Sequence, residues 1–399
     1  MTTATSAPAA SAEGHIDPAA TLTDGAVVPI QTRSERPWSF DPADFGTPTG
    51  REVNWKHTPI SRLGALFVDE AAPADVIGVT VSAPAAVEQA RLAPGEAPRG
   101  EVFRPEDLAS AIAWTQEAEA PLVRIPAGVE LDEPVIIRLT GNGGVAHAHV
   151  VIEAQAHSRG TVILRHEGSA QQAQNVEIIV RDGAALTVVT VQRWDNDAVH
   201  LSAHQARVDR DASLTHIVAS LGGSVVRVNP SVELAGSGSQ GRLYGLSFSD
   251  AGQHLESQVY LHHKGPHTTG DVLYKGALQG ENARSVWIGD VLIGPDAVGT
   301  DSYEANRNLV LTDGARADSI PNLEIETGDI VGAGHASATG RFDDEQLFYL
   351  QARGIAEDEA RRMVVLGFLL EIVQKLGIPA LEEEFTAAIE AELAAGADA

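Results

Sequence analysis

The sequence predicts a mainly β protein whose centre is a solenoid, flanked by helical or mixed segments. Three observations carry this expectation. From about Pro121 to Asp329 the chain is a series of short β-rich segments separated by Gly, Asp, Asn and Ser turn signals, with almost no helix-period stretch. Within that span, similar short segments begin at Leu186, Leu214, Leu243, Leu273 and Ser302, a nearly even spacing within the range of solenoid repeats. After Gly340 the apolar residues change to helical spacing. A strand-built repeat of this length argues for coils that stack, because the strands of one coil stay unpaired until the next is added. A parallel β-helix suits the pattern best. A β-sandwich is the alternative that the pattern leaves open.

Taken in order, residues 1–36 read as a disordered tail rich in Ala, Ser, Thr and Pro. Residues 37–120 form a mixed, partly helical region. Its stretch Phe45–Leu63 reads as a turn, a short helix and a proline-terminated stop, with Trp55 as a packing anchor. A helix is expected from Phe103 to about Glu117, opened by Pro105, Glu106 and Asp107, with Leu108, Ile112 and Trp114 on its apolar face. Residues 121–340 are the solenoid, with segments such as VIIRL, VVIEA, TVILRH, VEIIV, LTVVTV and VWIGDVLI. The pair KGPHTTGDVLYKGAL and IGPDAVGTDSYEANRNL repeats as well, with Pro295 falling one period after Pro266. In residues 341–399, a helical run from Asp343, Asp344 and Glu345 reaches Leu376 and stops at Gly377 and Pro379. A second, acidic helix follows. These helices are expected to cap the open edge of the solenoid.

Composition narrows the function. Lys and Arg total 28 against 55 Asp and Glu, a net charge of −27, which repels phosphate backbones and argues against nucleic acid as a partner. An acidic surface instead suits solubility, cations or basic partner faces. No apolar run approaches the ~20 residues needed to span a bilayer. The N-terminus shows no basic residue followed by an apolar stretch, so no signal peptide is expected. The expectation is a cytoplasmic protein. With no cysteine, the chain has no disulfide, no thiolate zinc site, no cysteine nucleophile and no thiolate for an iron–sulfur cluster.

Catalytic motifs are missing too. The chain has no GxxxxGK[ST] loop, GxSxG elbow or HExxH, and no GxGxxG in a strand–helix setting. Histidines are the remaining metal-ligand candidates. His262 and His263 should point to opposite faces of a strand, so a metal shared between them and His267 is awkward. His200 and His204 lie four apart in a strand-rich region, a spacing that pairs residues on a helix rather than here. His216 occupies a repeat position. His335 stands out, because Gly332 to Gly334 are read as a loop stripped of bulk in which the imidazole can meet a partner.

The stretch Pro321–Gly354, PNLEIETGDIVGAGHASATGRFDDEQLFYLQARG, resembles the C-terminal signature of the SufB/SufD family, the core of an iron–sulfur cluster assembly machinery. Pro48, Glu52, Trp55-Lys56 and Thr58-Pro59 resemble the N-terminal signature of the SufD branch. The resemblance implies a right-handed parallel β-helix and a non-catalytic scaffold subunit that pairs with a SufB-like subunit through its last strands. It further implies a SufC-like ABC-type ATPase bound at the C-terminal helices, where Asp344, Glu345, Phe348, Tyr349 and Arg353 are expected to carry partner contacts. His335 matches the family's interface histidine, which makes it the expected ligand of transient iron or of a nascent iron–sulfur cluster, with no cofactor held stably by the chain alone. Where some relatives carry a cysteine two residues before this histidine, Ala333 stands. The absence of cysteine favours SufD over SufB. The other readings are a SufB-like paralogue forming a homodimer, an unrelated β-helix binding protein, and a polysaccharide-active β-helix, which the residues disfavour for want of a constellation of catalytic carboxylates.

Overall fold

The computed structural model describes residues 22–23, 26–27, 36–71, 73, 75–341, 344–375 and 377–397. The strands before the solenoid proper are β1 (Leu22–Thr23), β2 (Ala26–Val27), β3 (Ile77–Ser82), β4 (Glu88–Leu92) and β5 (Ala120–Ile125). Two long strands follow, β6 (Val135–Ala154) and β7 (Arg159–Val180). Next come β8 (Ala185–Trp194), β9 (Val199–Val208), β10 (Ser213–Ser220), β11 (Val225–Leu234), β12 (Gln240–Ser249) and β13 (His254–His263). The last are β14 (Thr269–Leu278), β15 (Arg284–Ile293), β16 (Thr300–Val310), β17 (Arg316–Ile325) and β18 (Ile330–Arg341). The α-helices are α1 (Leu108–Gln116), α2 (Asp344–Gln351), α3 (Glu357–Gln374) and α4 (Pro379–Ala397).

The strand order β17-β15-β13-β11-β9-β7-β8-β10-β12-β14-β16-β18 is that of a parallel solenoid of about eight coils. Odd-numbered strands stack on one side and even-numbered strands on the other, and the long β7 bends to serve both. Every pairing among β5 to β18 is parallel, each partner lying one coil away. This is the β-helix expected from the sequence, and it excludes two facing antiparallel sheets.

Period-2 alternation decides what each strand buries. In β8, Leu186 and Val188 join the lumen core, whereas Val189 and Val191 join a second core on the outer face. Both faces are apolar because both are covered, which is why these segments read as nearly continuous hydrophobic runs. The repeat itself is less regular than the sequence spacing suggests. Leu186 pairs with Leu214 as expected, but Leu214 pairs with Gly241, Gly241 with Gly270, Gly270 with Ser302 and Ser302 with Ala333. The coils therefore differ in length, the two nearest the C-terminal end being the longest, and Leu243 and Leu273 lie opposite His216 and Tyr244. Register follows the inward–outward alternation, and the connecting turns absorb the differences in length.

The flanking segments wrap the sides of the solenoid. Trp55, Leu63, Leu66, Phe67, Leu108 and Ile112 pack on the outer face of the odd-numbered side, over Leu201 and Val225. The expected helix begins at Leu108 rather than Phe103. Asp107 is its N-cap and forms a capping box with Ser110, leaving Phe103 to Glu106 outside the helix. On the even-numbered side, Val365, Leu369 and Ile372 of α3 and Leu381, Phe385 and Ile389 of α4 cover Ile217, Tyr244, Leu246 and Phe248. Burying each such side chain stabilises by about 1.5–3 kcal/mol.

Three expectations about the ends change. The run from Asp343 to Leu376 is two helices, broken where Gly354 adopts φ +85° after α2; Asp343 and Leu376 themselves lie outside the described residues. The C-terminal helices cover a flank instead of capping the open edge. Of the predicted tail, Leu22–Thr23 and Ala26–Val27 pair antiparallel with each other, and 1–21, 24–25 and 28–35 lie outside the described residues.

Candidate functional site

With both flanks covered, the end carrying β17 and β18 is exposed. Among the described residues each has a strand partner on one side only, β15 for β17 and β16 for β18, so each offers a row of backbone donors and acceptors along its outer edge. Ile325 and Val331 are exposed there, Val331 by 75%. Leu323, Ile330 and Ala333 close the lumen from this side and remain only partly buried. Among the described residues nothing completes the next coil.

His335 lies on this end, but in strand β18 and not in a loop. Gly332 and Gly334 belong to the same strand, on the face opposite His335, where a Cβ on Gly334 would come within 3.3 Å of the Tyr303 ring. In register, His335 sits opposite Glu304 of β16. The imidazole is 46% exposed, while the Glu304 side chain beneath it is 1% exposed, and His335 Nδ1 lies 3.8 Å from Glu304 Oε1. Among the described residues neither carboxylate oxygen has a hydrogen-bond partner. Burial, with the nearby Asp290 adding to it, pushes the Glu304 carboxyl up to about 8. Room for it comes from Gly289, where a Cβ would overlap Glu304 Oε2 and the Trp287 ring. No sequence motif marks Glu304; only coil register reveals it.

The other histidines go elsewhere. His262 and His263 do face opposite ways: His262 is half-buried, whereas His263 is fully buried and bonded to Thr268 Oγ1 at 2.8 Å and Ser302 Oγ at 3.0 Å. His267 is a turn residue at φ 58°. His200, His204 and His216 are buried in a polar tract, far from solvent. His204 Nδ1 lies 3.0 Å from His216 Nε2, His204 Nε2 2.9 Å from Ser202 Oγ, and His200 Nδ1 2.8 Å from Gln192 Oε1. His166 joins them through Gln174. Burial lowers His166 and His216 to about 4 and sends His200 and His204 well below the ordinary range. Among the described residues, no group of three or more His, Asp or Glu side chains is placed to hold a metal ion.

A second buried cluster pins the N-terminal motif. Thr58 Oγ1 donates to Glu256, 2.9 Å from Oε2, and Arg227 Nε donates to Glu256 Oε1 at 3.0 Å while stacking 4.0 Å over the Trp55 ring. Burial opposes ionisation of Glu256, yet His254 and Arg227 hold its carboxyl down to about 2. This locks Trp55, 2% exposed, as an anchor of the wrap.

On α2, Leu347 is buried against the fold while Phe348 and Tyr349 are 71% and 53% exposed. Arg353 lies 4.0 Å over the Tyr349 ring, a cation–π contact that stiffens the pair. Asp344 and Glu345 open the helix; their side chains are not among those described.

Two cavities lie away from the β17–β18 end. One of about 20 Å³ in the lumen, between Tyr274, Trp287 and Asn306, is water-sized. An open cleft of about 540 Å³ lies by Phe40, Arg99 and Trp114, where Arg99 donates to Leu92 O at 2.9 Å and Trp114 O at 2.8 Å. Among the described residues, no helix is long and apolar enough to cross a membrane.

The fold and this end face define a class: a parallel β-helix with covered flanks and, among the described residues, an open end bearing two strands paired on one side only and a histidine over a buried carboxyl. The model of the SufBD core domain, described as SUF-system FeS cluster assembly, matches residues 137–368, and the chain belongs to this SufBD family of iron–sulfur cluster assembly proteins. It is 48% identical over 363 residues to an iron–sulfur cluster assembly SufBD family protein of Mycobacterium bovis, spanning 89% of this chain and 91% of that one. Another from Mycobacterium leprae is 47% identical over 363 residues, spanning 89% and 93%. A second SufBD family protein of Mycobacterium leprae is 28% identical over 266 residues, spanning 65% of this chain and 30% of that protein.

Proposed function

We propose that the chain is the SufD-type subunit of a SufBCD assembly complex, a non-catalytic cytoplasmic scaffold. A SufB-like subunit docks on the β17–β18 end, and a SufC-like ATPase docks on the exposed face of α2. His335 then offers an imidazole to iron, or to a nascent cluster, at the first of these interfaces. The chain supplies no thiolate and no phosphate-binding loop, so thiolates come from the SufB-like partner and ATP hydrolysis from the SufC-like one.

The observation that carries this reading is the open end. Both flanks are buried under the chain's own segments, whereas the coil that presents His335 ends in unpaired strand edges. Backbone pairing along such edges gives an interface its register and affinity. A neutral imidazole suits ferrous iron and complements thiolates from across the interface. Iron here is cargo, and the buried Glu304 carboxyl, which has no hydrogen-bond donor among the described residues, offers oxygens suited to it once its proton is displaced.

A homodimeric, SufB-like role is the second reading. Two different SufBD family proteins of Mycobacterium leprae match this chain, which spans 93% of one and 30% of the other. Two unlike family members in one organism favour a heteromeric pair. The test is complementation of a strain lacking the native subunit with His335→Ala, alongside melting temperature and co-purification of both partners. Lost growth under iron limitation, with folding and assembly of the complex intact, is expected. Wild-type growth rejects the ligand role, and a collapsed melting temperature makes His335 structural.

A further inference from the structure

We infer that Glu304 and His335 together form a two-donor half-site for a ferrous-type divalent cation at the mouth of the solenoid. The inference rests on the reading of His335 given above and adds the residue beneath it.

Glu304 is the reason. Its side chain is 1% exposed, and among the described residues neither oxygen has a hydrogen-bond donor and no Lys or Arg pairs with it. A carboxyl so placed gives up its proton at neutral pH only when a cation takes the proton's place, so the site is built to exchange one for the other. The nearby Asp290 makes the spot more negative still. Among the described residues, the side chain in ion-pairing reach is His335, whose Nδ1 lies 3.8 Å away. Two donors bound at about 2.1 Å to one tetrahedral ion lie roughly 3.4 Å apart, so a small rotation of the half-exposed imidazole brings both onto one ion. One imidazole nitrogen and one carboxylate oxygen suit ferrous iron and its divalent neighbours, while the lack of any thiolate disfavours cuprous ion. The imidazole is 46% exposed, so further ligands would come from water or a docked chain on its open side. Gly289 keeps the carboxylate's place open from behind.

The test is anaerobic titration of the full chain with Fe(II), and with Co(II) as a spectroscopic probe, against a chelator strong enough to mask weak binding by surface carboxylates. One equivalent should bind the wild type, with affinity at least tenfold lower in Glu304→Gln and in His335→Ala. Glu304→Gln should melt no lower than wild type, because it replaces a buried carboxyl that has no partner among the described residues and, held up to about 8, is already largely neutral at pH 7. As a measurement that needs no variant at position 304, one equivalent of Co(II) should broaden the His335 ring resonance before those of other histidines. Wild-type affinity in Glu304→Gln, absence of one-equivalent binding in the wild type, or broadening that starts elsewhere overturns the half-site. If His335→Ala fails in cells while Glu304→Gln binds metal normally, the half-site falls and the His335 role stands. If both variants lose metal while His335→Ala assembles clusters normally, the half-site stands and the functional reading falls.

Discussion

Arg165 holds Glu384 through two N–H···O bonds of 2.7 Å each, fastening strand β7 to helix α4. The same seam is tied by Lys275, whose Nζ lies 2.6 Å from Glu371 and donates to the carbonyl of Phe368 at 2.8 Å. These polar ties border an apolar contact centred on Phe385 and Leu369. The C-terminal helices are therefore part of the solenoid's flank.

Phe385→Ala should cost about 3–5 kcal/mol, the range for truncating a buried aromatic. Glu384→Ala should cost about 1 kcal/mol, as befits a half-buried bidentate pair. Urea unfolding measures both. Hydrogen exchange should show α3 and α4 opening in Phe385→Ala while the amides of β8 to β13 stay protected; equal loss of protection throughout would mean that flank and solenoid unfold as one unit.

The buried histidine tract makes stability depend on pH in a stated direction. His166 and His216 are held at about 4 in the folded chain, below the ordinary 6.5, by burial. Between those values the unfolded chain binds protons that the folded chain refuses, so stability falls as pH drops from about 6.5 to 4. Each unit of depression is worth about 1.4 kcal/mol. The urea midpoint should be flat with respect to these groups above pH 7 and fall below 6.5, with a shallower fall in His216→Gln. A midpoint that rises on acidification contradicts the assignment.

Docking of the ATPase is expected to depend on Phe348 and Tyr349. The double variant Phe348→Ala, Tyr349→Ala should weaken binding of a SufC-like partner at least tenfold, as measured by titration calorimetry, because exposed aromatics concentrate interface energy. Its stability should change by only about 0.5 kcal/mol, as for other surface substitutions. Unchanged affinity would move the ATPase site off α2. Removing residues 341–399 is a poorer test, since it would strip Phe248, Leu246 and Ile217 of their cover.

The β-helix was legible because its signal is local: alternation within segments, turns between them, and a recurrence of nearly constant length. Register was not, because turn lengths vary and nothing in Leu243 or Leu273 announces that the coil has slipped against its neighbour. His335 was legible through the motif around it, although its small neighbours read as a loop when they are strand. Glu304 was invisible in the sequence, lying a full coil before His335 and meeting it only through strand pairing. The placing of α3 and α4 was missed for a similar reason. An apolar helix face tells that it is buried, and Val189 and Val191 tell that the sheet's outer face is buried, but neither names the other.

The central claim is that the β17–β18 end receives a SufB-like subunit, and hydrogen exchange of the chain alone and in the complex tests it most directly. Amides in 316–325 and 330–341 should exchange faster alone than those of the inner coils, then become protected when the SufB-like subunit binds, with little change in β8 to β13. Protection confined to α2–α4 or to the N-terminal wrap, with β18 exchanging as fast in the complex as alone, would contradict it.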